Sequence, residues 1–340
     1  MKFHILYDLS KTPWGGANQF LKALKNELIV RDIYTDNLDS ADVLIVNSHH
    51  WFDRLEELKS TVNKNPNLVI IHRIDGPITF TRSANNDYLD KMIVTFSDIF
   101  ARGIVYQSLW SQNKHIDLGL YKEIPSKIIY NAPDKNIFNC KDVKNFHREK
   151  RIRIIASSWS ENKNKGFSIY KFLDENLDFS KYEMCFVGKT PVSFKNIKHI
   201  PAVGSKRLSE LLRRSDLFIQ ASEIEACSNA LIEAMHCGLV PIAKNSSSNP
   251  ELIQFGGVLF NDHNDIIDVI DDTSNNLSKH KSSLDPPSIE KVTDQYVNFA
   301  RELGSKNKTL NWKVTGVMKI FFYNYLYKIR ALMIRITQRL

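Results

Sequence analysis

Glu225 and Glu233 stand eight residues apart in SEIEACSNALIEAMHCGLVPI, the stretch from Ser222 to Ile242. Shielding a carboxylate from water costs free energy unless something pairs with it. The plain alternative is one capping glutamate and one helix-surface glutamate, so the other reactive types along the chain decide the matter. Lys165 precedes Gly166 in SSWSENKNKGF and sets an ammonium at the start of a helical pattern, where the helix dipole already favours a phosphate. Gly15 and Gly16, in KTPWGGANQF, let the backbone come close to a ligand ahead of another helix N-terminus. Gly188 ends the run MCFVG in the turn VGKTP, and His72 lies near the end of LVIIHRI, with Asp75 just beyond. Each signal has a bland counterpart: a packing turn, a solvated lysine, a structural histidine.

What must position these groups is an alternation of short β-rich runs and helical patterns. FHILYDL, DVLIVNS, LVIIHRI, GIVYQS and KIIYN come first. Between the first two, Ala17, Phe20, Leu21, Leu24 and Leu28 share one 3.6-period face. A basic, polar stretch from Asn139 to Arg153 breaks the pattern, which resumes with RIIASS, MCFVG, a run around His199–Val203, LFIQAS, LVPIA and GVLF. Strands separated by helices imply right-handed crossovers and a parallel sheet. The expectation is an α/β chain of two Rossmann-like, doubly wound domains, 1–146 and 147–286, facing across a cleft. A closing helix at 287–304 and a tail at 305–340 follow. Ligands of open α/β sheets bind at the carboxyl ends of the strands, where all of the candidate groups fall.

Composition narrows the function. The chain carries 46 basic and 38 acidic residues, and eight of the basic ones lie between Ser305 and Leu340, a stretch without acid, so 38 face 38 in the rest. Nucleic-acid enzymes more often spread basic charge over a face of the body, and no nucleic-acid partner is expected. The absence of G-x-G removes the dinucleotide fingerprint, and the absence of Asp-x-Asp removes the usual metal-holding pair of one large class of sugar transferases. Cys140, Cys185, Cys227 and Cys237 form no CxxC pair and fit reduced thiols of the cytoplasm. MKFHILYDLS runs straight into a strand pattern with no signal-peptide core, and no stretch reaches the roughly 18 uncharged apolar residues of a spanning helix.

The order of these features resembles the retaining glycosyltransferases of the GT-B fold, in particular glycosyltransferase family 4. The resemblance rests on the glycine pair, the Lys-Gly, the Val-Gly turn and IIYNAPDKNIF (Asn131, Asp134, Phe138). Its most specific part is the Glu-x7-Glu segment running into EAMHCGLVP. It implies transfer of a hexosyl group from a nucleotide diphospho-sugar, as co-substrate, to a glycan or lipid-linked glycan in cell-surface polysaccharide or glycolipid assembly. Glu225 would sit at the sugar hydroxyls and Glu233 at the ribose, with Ala226, Cys227, Ser228 and Asn229 turning into a helix N-terminus between them. Lys165 would meet the β-phosphate, and His72 would face the sugar and acceptor. Gly15, Gly16 and Gly188 would line the donor, and no metal would be required. Ser157-Ser158-Trp159 departs from the family's Gly-Arg, leaving Lys163 or Arg73 to supply the second cation. Two other readings stand beside this one: a non-catalytic nucleotide-sugar-binding partner of an active transferase, and a GT-B sugar-nucleotide epimerase.

The tail reads separately. Met318, Phe322, Tyr325, Ile329, Leu332, Met333 and Ile336 share a helical face, flanked by Lys319 and Arg330 on one side and Lys328 and Arg335 on the other. That pattern fits a helix in an anionic membrane interface. It places the protein at the inner face of the cytoplasmic membrane, unless the stripe packs on the chain's own body or a second subunit.

Overall fold

The computed structural model describes the chain apart from residues 11–15, 83–86, 121–122, 142–150, 306–313 and 338–340, and apart from the side chains of residues 314–316, 327 and 330–337. Gly15 and part of the tail therefore lie outside the described residues. The chain forms two compact units, each built on a fully parallel sheet.

Unit 1 comprises Met1–Asp8, Glu27–Ile129 and Thr293–Leu340. Its strands are β1 (Phe3–Leu6), β2 (Val43–Asn47), β3 (Val69–Ile74), β4 (Gly103–Tyr106) and β5 (Ser126–Ile128), ordered in space as in sequence. Every residue of β2 and β3 is buried, as expected of strands covered by helices on both faces. Leu44, Val46, Ile70 and Ile104 form one core with Trp51 and Phe96, whose rings stack at 4.1 Å. Two late helices complete this unit. Phe299 and Leu303, of the helix Ile289–Gly304, lie so close to Gly103 that a Cβ there would come within 2.6 Å of each. The helix Val314–Thr337 packs on the helix Asp87–Phe100, and Ile320 is fully buried in the core.

Unit 2 comprises Leu9–Asn26 and Tyr130–Val292. Its strands are β6 (Ile152–Ser158), β7 (Tyr182–Gly188), β8 (Lys198–Ile200), β9 (Leu217–Gln220), β10 (Val240–Lys244) and β11 (Val258–Phe260). Their spatial order is β11-β10-β9-β6-β7-β8. The chain builds outward from β6 in one direction and then restarts at β9 in the other. The order reverses between β6 and β9, and the crevice outside a reversal is where open α/β sheets take ligands.

The units are not the contiguous spans expected from sequence. The expected boundary at 146 lies outside the described residues, and the chain already changes unit between Ile129 and Tyr130. Packing gives the reason: Tyr130 lies against the cluster of Cys227 and Leu231, and Phe138 is buried with Ile155, Val187 and Phe218.

Candidate functional site

The loops after β6 and β9 meet in unit 2. Beyond Ser158 the chain makes a short 3-10 turn over Lys163–Lys165, capped by the Asn162 side chain, which accepts from the Asn164 amide at 3.0 Å. The turn ends on Gly166, whose φ of 70° lies in the left-handed region that glycine adopts without strain. Glycine is needed for space as well, since a Cβ there would lie 2.0 Å from the Ala221 carbonyl oxygen. The Glu223 amide donates to the Asn164 carbonyl at 2.8 Å, tying the two loops together. As a result Lys165 Nζ lies 2.5 Å from Glu225 Oε1.

Glu225 is held from the other side too. Its amide donates to Ser247 Oγ at 2.9 Å, and Gln220 Nε2 reaches Glu225 Oε1 at 3.4 Å and Ser228 Oγ at 2.9 Å. Ser228 caps the helix Asn229–His236, its hydroxyl accepting from the Leu231 amide. The eight-residue spacing therefore places Glu225 just ahead of a helix start and Glu233 on that helix's second turn. Glu233 is buried, and burial pushes its pKa up to about 8. It lines a cavity of about 260 Å³ with Asn229, Asn131, Asp134, Gly204 and Lys22. That volume is just below the usual range of ligand clefts, roughly 300–1,000 Å³.

The other expected donor contacts gather nearby. The Gly16 carbonyl accepts from Asn229 Nδ2 at 2.6 Å, and Asn229 Oδ1 accepts from Asn131 Nδ2 at 2.7 Å. Ala226 is half-buried, and Cys227 and Ser228 are buried. Gly188 pairs with Ser158 across β6 and β7 at a φ of 119°, and a Cβ there would lie 1.9 Å from the Ser158 carbonyl oxygen. Ser158 turns its hydroxyl onto the Ser160 carbonyl, while Trp159 packs against the cluster of Phe138 and Val187, so neither side chain offers a charge. Among the described residues no three His, Cys, Asp or Glu side chains group as a metal site.

His72 requires a correction. It lies inside β3, fully buried, with Nδ1 at 2.7 Å from Ser97 Oγ and Nε2 at 2.8 Å from the Ser48 carbonyl. Burial, opposed by that carbonyl, lowers its pKa to about 4. It braces the sheet and cannot face a ligand. The groups at that edge of unit 1 are instead His49, His50, Arg73, Asp75 and Gln107. The fully buried Arg73 donates to Asn47 and to Asp75 (3.1 Å), and Gln107 Nε2 also donates to Asp75. Burial alone would raise the Asp75 pKa, but Arg73, with His50, His49 and Arg82, holds it below the ordinary value. Burial lowers His49 to about 4, so its ring is neutral at pH 7. The readable signal was the His-His pair directly after DVLIVNS.

Comparison with known proteins bears on the fold and on the stretch around the two glutamates. The family described as glycosyl transferases group 1 matches residues 193–282. A Staphylococcus aureus protein, capsular polysaccharide biosynthesis glycosyltransferase CapH, is 28% identical over 190 residues, 51% of this chain and 50% of that protein. The chain spans about half the length of the curated relatives it matches. Among solved structures, Anabaena Alr3699/HepE in complex with UDP and glucose superposes with a TM-score of 0.67 at 15% identity, over 89% of this chain and all of that one. Sucrose-phosphate synthase from Thermosynechococcus elongatus superposes with a TM-score of 0.56 at 12% identity, over 95% and 83%. The chain has the GT-B fold, and the stretch that holds Glu225 and Glu233 matches the glycosyl transferases group 1 family.

Proposed function

We propose that the protein is a retaining glycosyltransferase of family 4 type. It moves a hexosyl group from a nucleotide diphospho-sugar to a glycan or lipid-linked glycan in cell-surface polysaccharide assembly. The observation that carries this reading is the pairing of Lys165 with Glu225 at the strand-order reversal, ahead of the helix that bears Glu233 beside a cavity. The CapH name supports the polysaccharide context, and the UDP and glucose of the HepE structure make UDP-glucose the first donor to test.

The chemistry follows from the groups present. The bond from the anomeric carbon to the β-phosphate oxygen breaks with its electron pair going to the phosphate. Lys165 and the amides at the start of the helix Asn229–His236 stabilise that developing charge. The Lys165–Glu225 pair opens when donor binds, which frees Glu225 to accept hydrogen bonds from sugar hydroxyls. Glu233 accepts from the ribose hydroxyls. The acceptor oxygen bonds the same face of the anomeric carbon as its proton passes to the leaving phosphate, so configuration is retained and no protein base is needed.

The test is a panel of UDP-, GDP- and ADP-sugars screened by thermal shift, since ligand binding raises stability by mass action. Turnover with the best donor follows, with and without glycan acceptors. The expected result is nucleoside diphosphate released only with acceptor, and a product of unchanged anomeric configuration by NMR. Donor binding without turnover across acceptors would favour the non-catalytic partner, and inversion would overturn the retaining assignment.

A further inference from the structure

The helix Val314–Thr337 is two-sided. Ile320 is fully buried and Asn324 nearly so, with Tyr323 packed against the same core; these residues form the stripe that docks on unit 1. The opposite side carries Met318, Phe321, Phe322, Tyr325 and Ile329, exposed by 38–67%. They are five of the eleven exposed large hydrophobic residues among those described, and they follow one another along a single face. A contiguous exposed apolar patch marks an interaction site, whereas scattered single residues do not.

We propose that this outward face is a mount for an anionic lipid surface, with the body held beneath it by the Ile320 stripe. Lys319 and Lys328 are exposed at its two margins. No acid occurs from Ser305 to the last residue. A second copy of this chain fits poorly, because two such acid-free tails would bring like charge together with no counter-charge. Phospholipid headgroups of negative charge complement both margins while the acyl boundary takes the aromatic rings. Among the described residues no helix is long and apolar enough to cross a membrane, and the proposal lays this one in the plane of the interface. The proposal stands independently of donor identity.

Removing the whole tail is a poor test, since it strips Ile320 from the core. Point changes on the outward face leave Ile320 in the core, although Phe322 meets the Tyr323 ring at 5.9 Å, and a matched melting temperature checks that the fold is kept. The full chain is sedimented with vesicles of phosphatidylcholine plus phosphatidylglycerol, and with phosphatidylcholine alone. Binding is expected to the mixed vesicles only, and to fall as salt rises. The double variant Phe322→Ser, Tyr325→Ser is expected to lose nearly all of it. Each of Lys319→Gln and Lys328→Gln should weaken it roughly fivefold, the worth of one cation near such a surface. Val30→Ser, at an exposed apolar residue elsewhere, should change nothing. Indifference of the wild-type chain to anionic lipid would overturn the proposal, as would undiminished sedimentation of the Phe322, Tyr325 variant. A concentration-dependent dimer abolished by that variant, without lipid binding, would assign the face to a second copy instead.

Discussion

Lys165 and Glu225 form an ion pair at 2.5 Å between the loop after β6 and the loop after β9. In the proposed mechanism each partner takes a separate task once donor is bound, one at phosphate and one at sugar, and the pair is what holds the two groups before that. Lys165→Ala should lower kcat by about 10²–10³-fold, the usual loss when one group that stabilises a leaving charge is removed. Glu225→Ala should also act mainly on kcat. Because the two side chains touch, the double variant should lose less than the product of the single losses. Strict multiplication of the two effects, measured by steady-state kinetics, would place the residues in unrelated roles.

Glu233 gives a pH dependence with a definite sign. A glutamate has an ordinary value of 4.5, and burial pushes Glu233 up to about 8. Between those values the unfolded chain is ionised here while the fold still holds the proton. Stability should therefore fall as pH rises through that window. Glu233→Gln removes this contribution, and its melting temperature should fall less between pH 5 and pH 8 than that of wild type. The same substitution should weaken nucleotide binding about tenfold or more, because hydrogen bonds to a charged acceptor are lost. Nucleotide binding at pH 7 should also release a proton in wild type and none in the variant. Calorimetry in buffers of different ionisation enthalpy measures this directly.

Gly166 is constrained twice, by its φ of 70° and by the Ala221 carbonyl beside it. Gly166→Ala forces that backbone to shift, and the left-handed conformation alone costs an alanine about 1–2 kcal/mol. The expected total is about 3 kcal/mol or more, seen as a lower denaturation midpoint. Turnover should drop with it, because the shifted turn carries Lys165. A fully stable Gly166→Ala protein would mean that the two loops are not locked together.

Much of this was legible in sequence, for identifiable reasons. All eleven strand-like runs became strands, because each was short, apolar and bounded by polar turns, although β8 (Lys198–Ile200) begins and ends earlier than the run around His199–Val203. The Glu-x7-Glu spacing was readable because a helix fixes where its residues fall. His72 was misplaced because a run of six buried residues gives no sign of which is last at the sheet edge, and His72 stops two short of it. The tail misled in another way. Its outward apolar face was plain in the spacing, but the opposite stripe, with Ile320 fully buried, depends on a surface of Asp87–Phe100 more than 200 residues earlier. The unit boundaries were hidden for the same reason, since contacts between distant segments set them.

The proposed mechanism assigns no step to a metal. Activity should persist in EDTA, with added Mg²⁺ changing at most the rate of product release. Complete loss in chelator, restored by Mn²⁺, would require a metal-dependent mechanism.

For the second phosphate-binding cation that the resemblance implies, the candidate to test is Lys189, which the sheet register sets beside Ser158. Arg73 is fully buried in unit 1 and committed to Asn47 and Asp75. Lys163 is exposed in the turn. Lys189 follows Gly188, which pairs with Ser158, and its amide donates to the Ser158 carbonyl at 2.8 Å. An exposed lysine thus leaves the carboxyl edge of β7 beside the segment where the resemblance places an arginine. Lys189→Ala should lower kcat/KM for donor about tenfold, equivalent to roughly 1.4 kcal/mol of lost transition-state stabilisation. Lys163, likewise exposed but in the turn and not beside Ser158, is the control: Lys163→Ala should change it less than Lys189→Ala does. Raised salt should narrow the gap between wild type and the Lys189 variant, because screening weakens what the lysine contributes. If Lys163→Ala instead gives the larger loss, the cation comes from the turn, and the second phosphate contact lies on the same loop as Lys165.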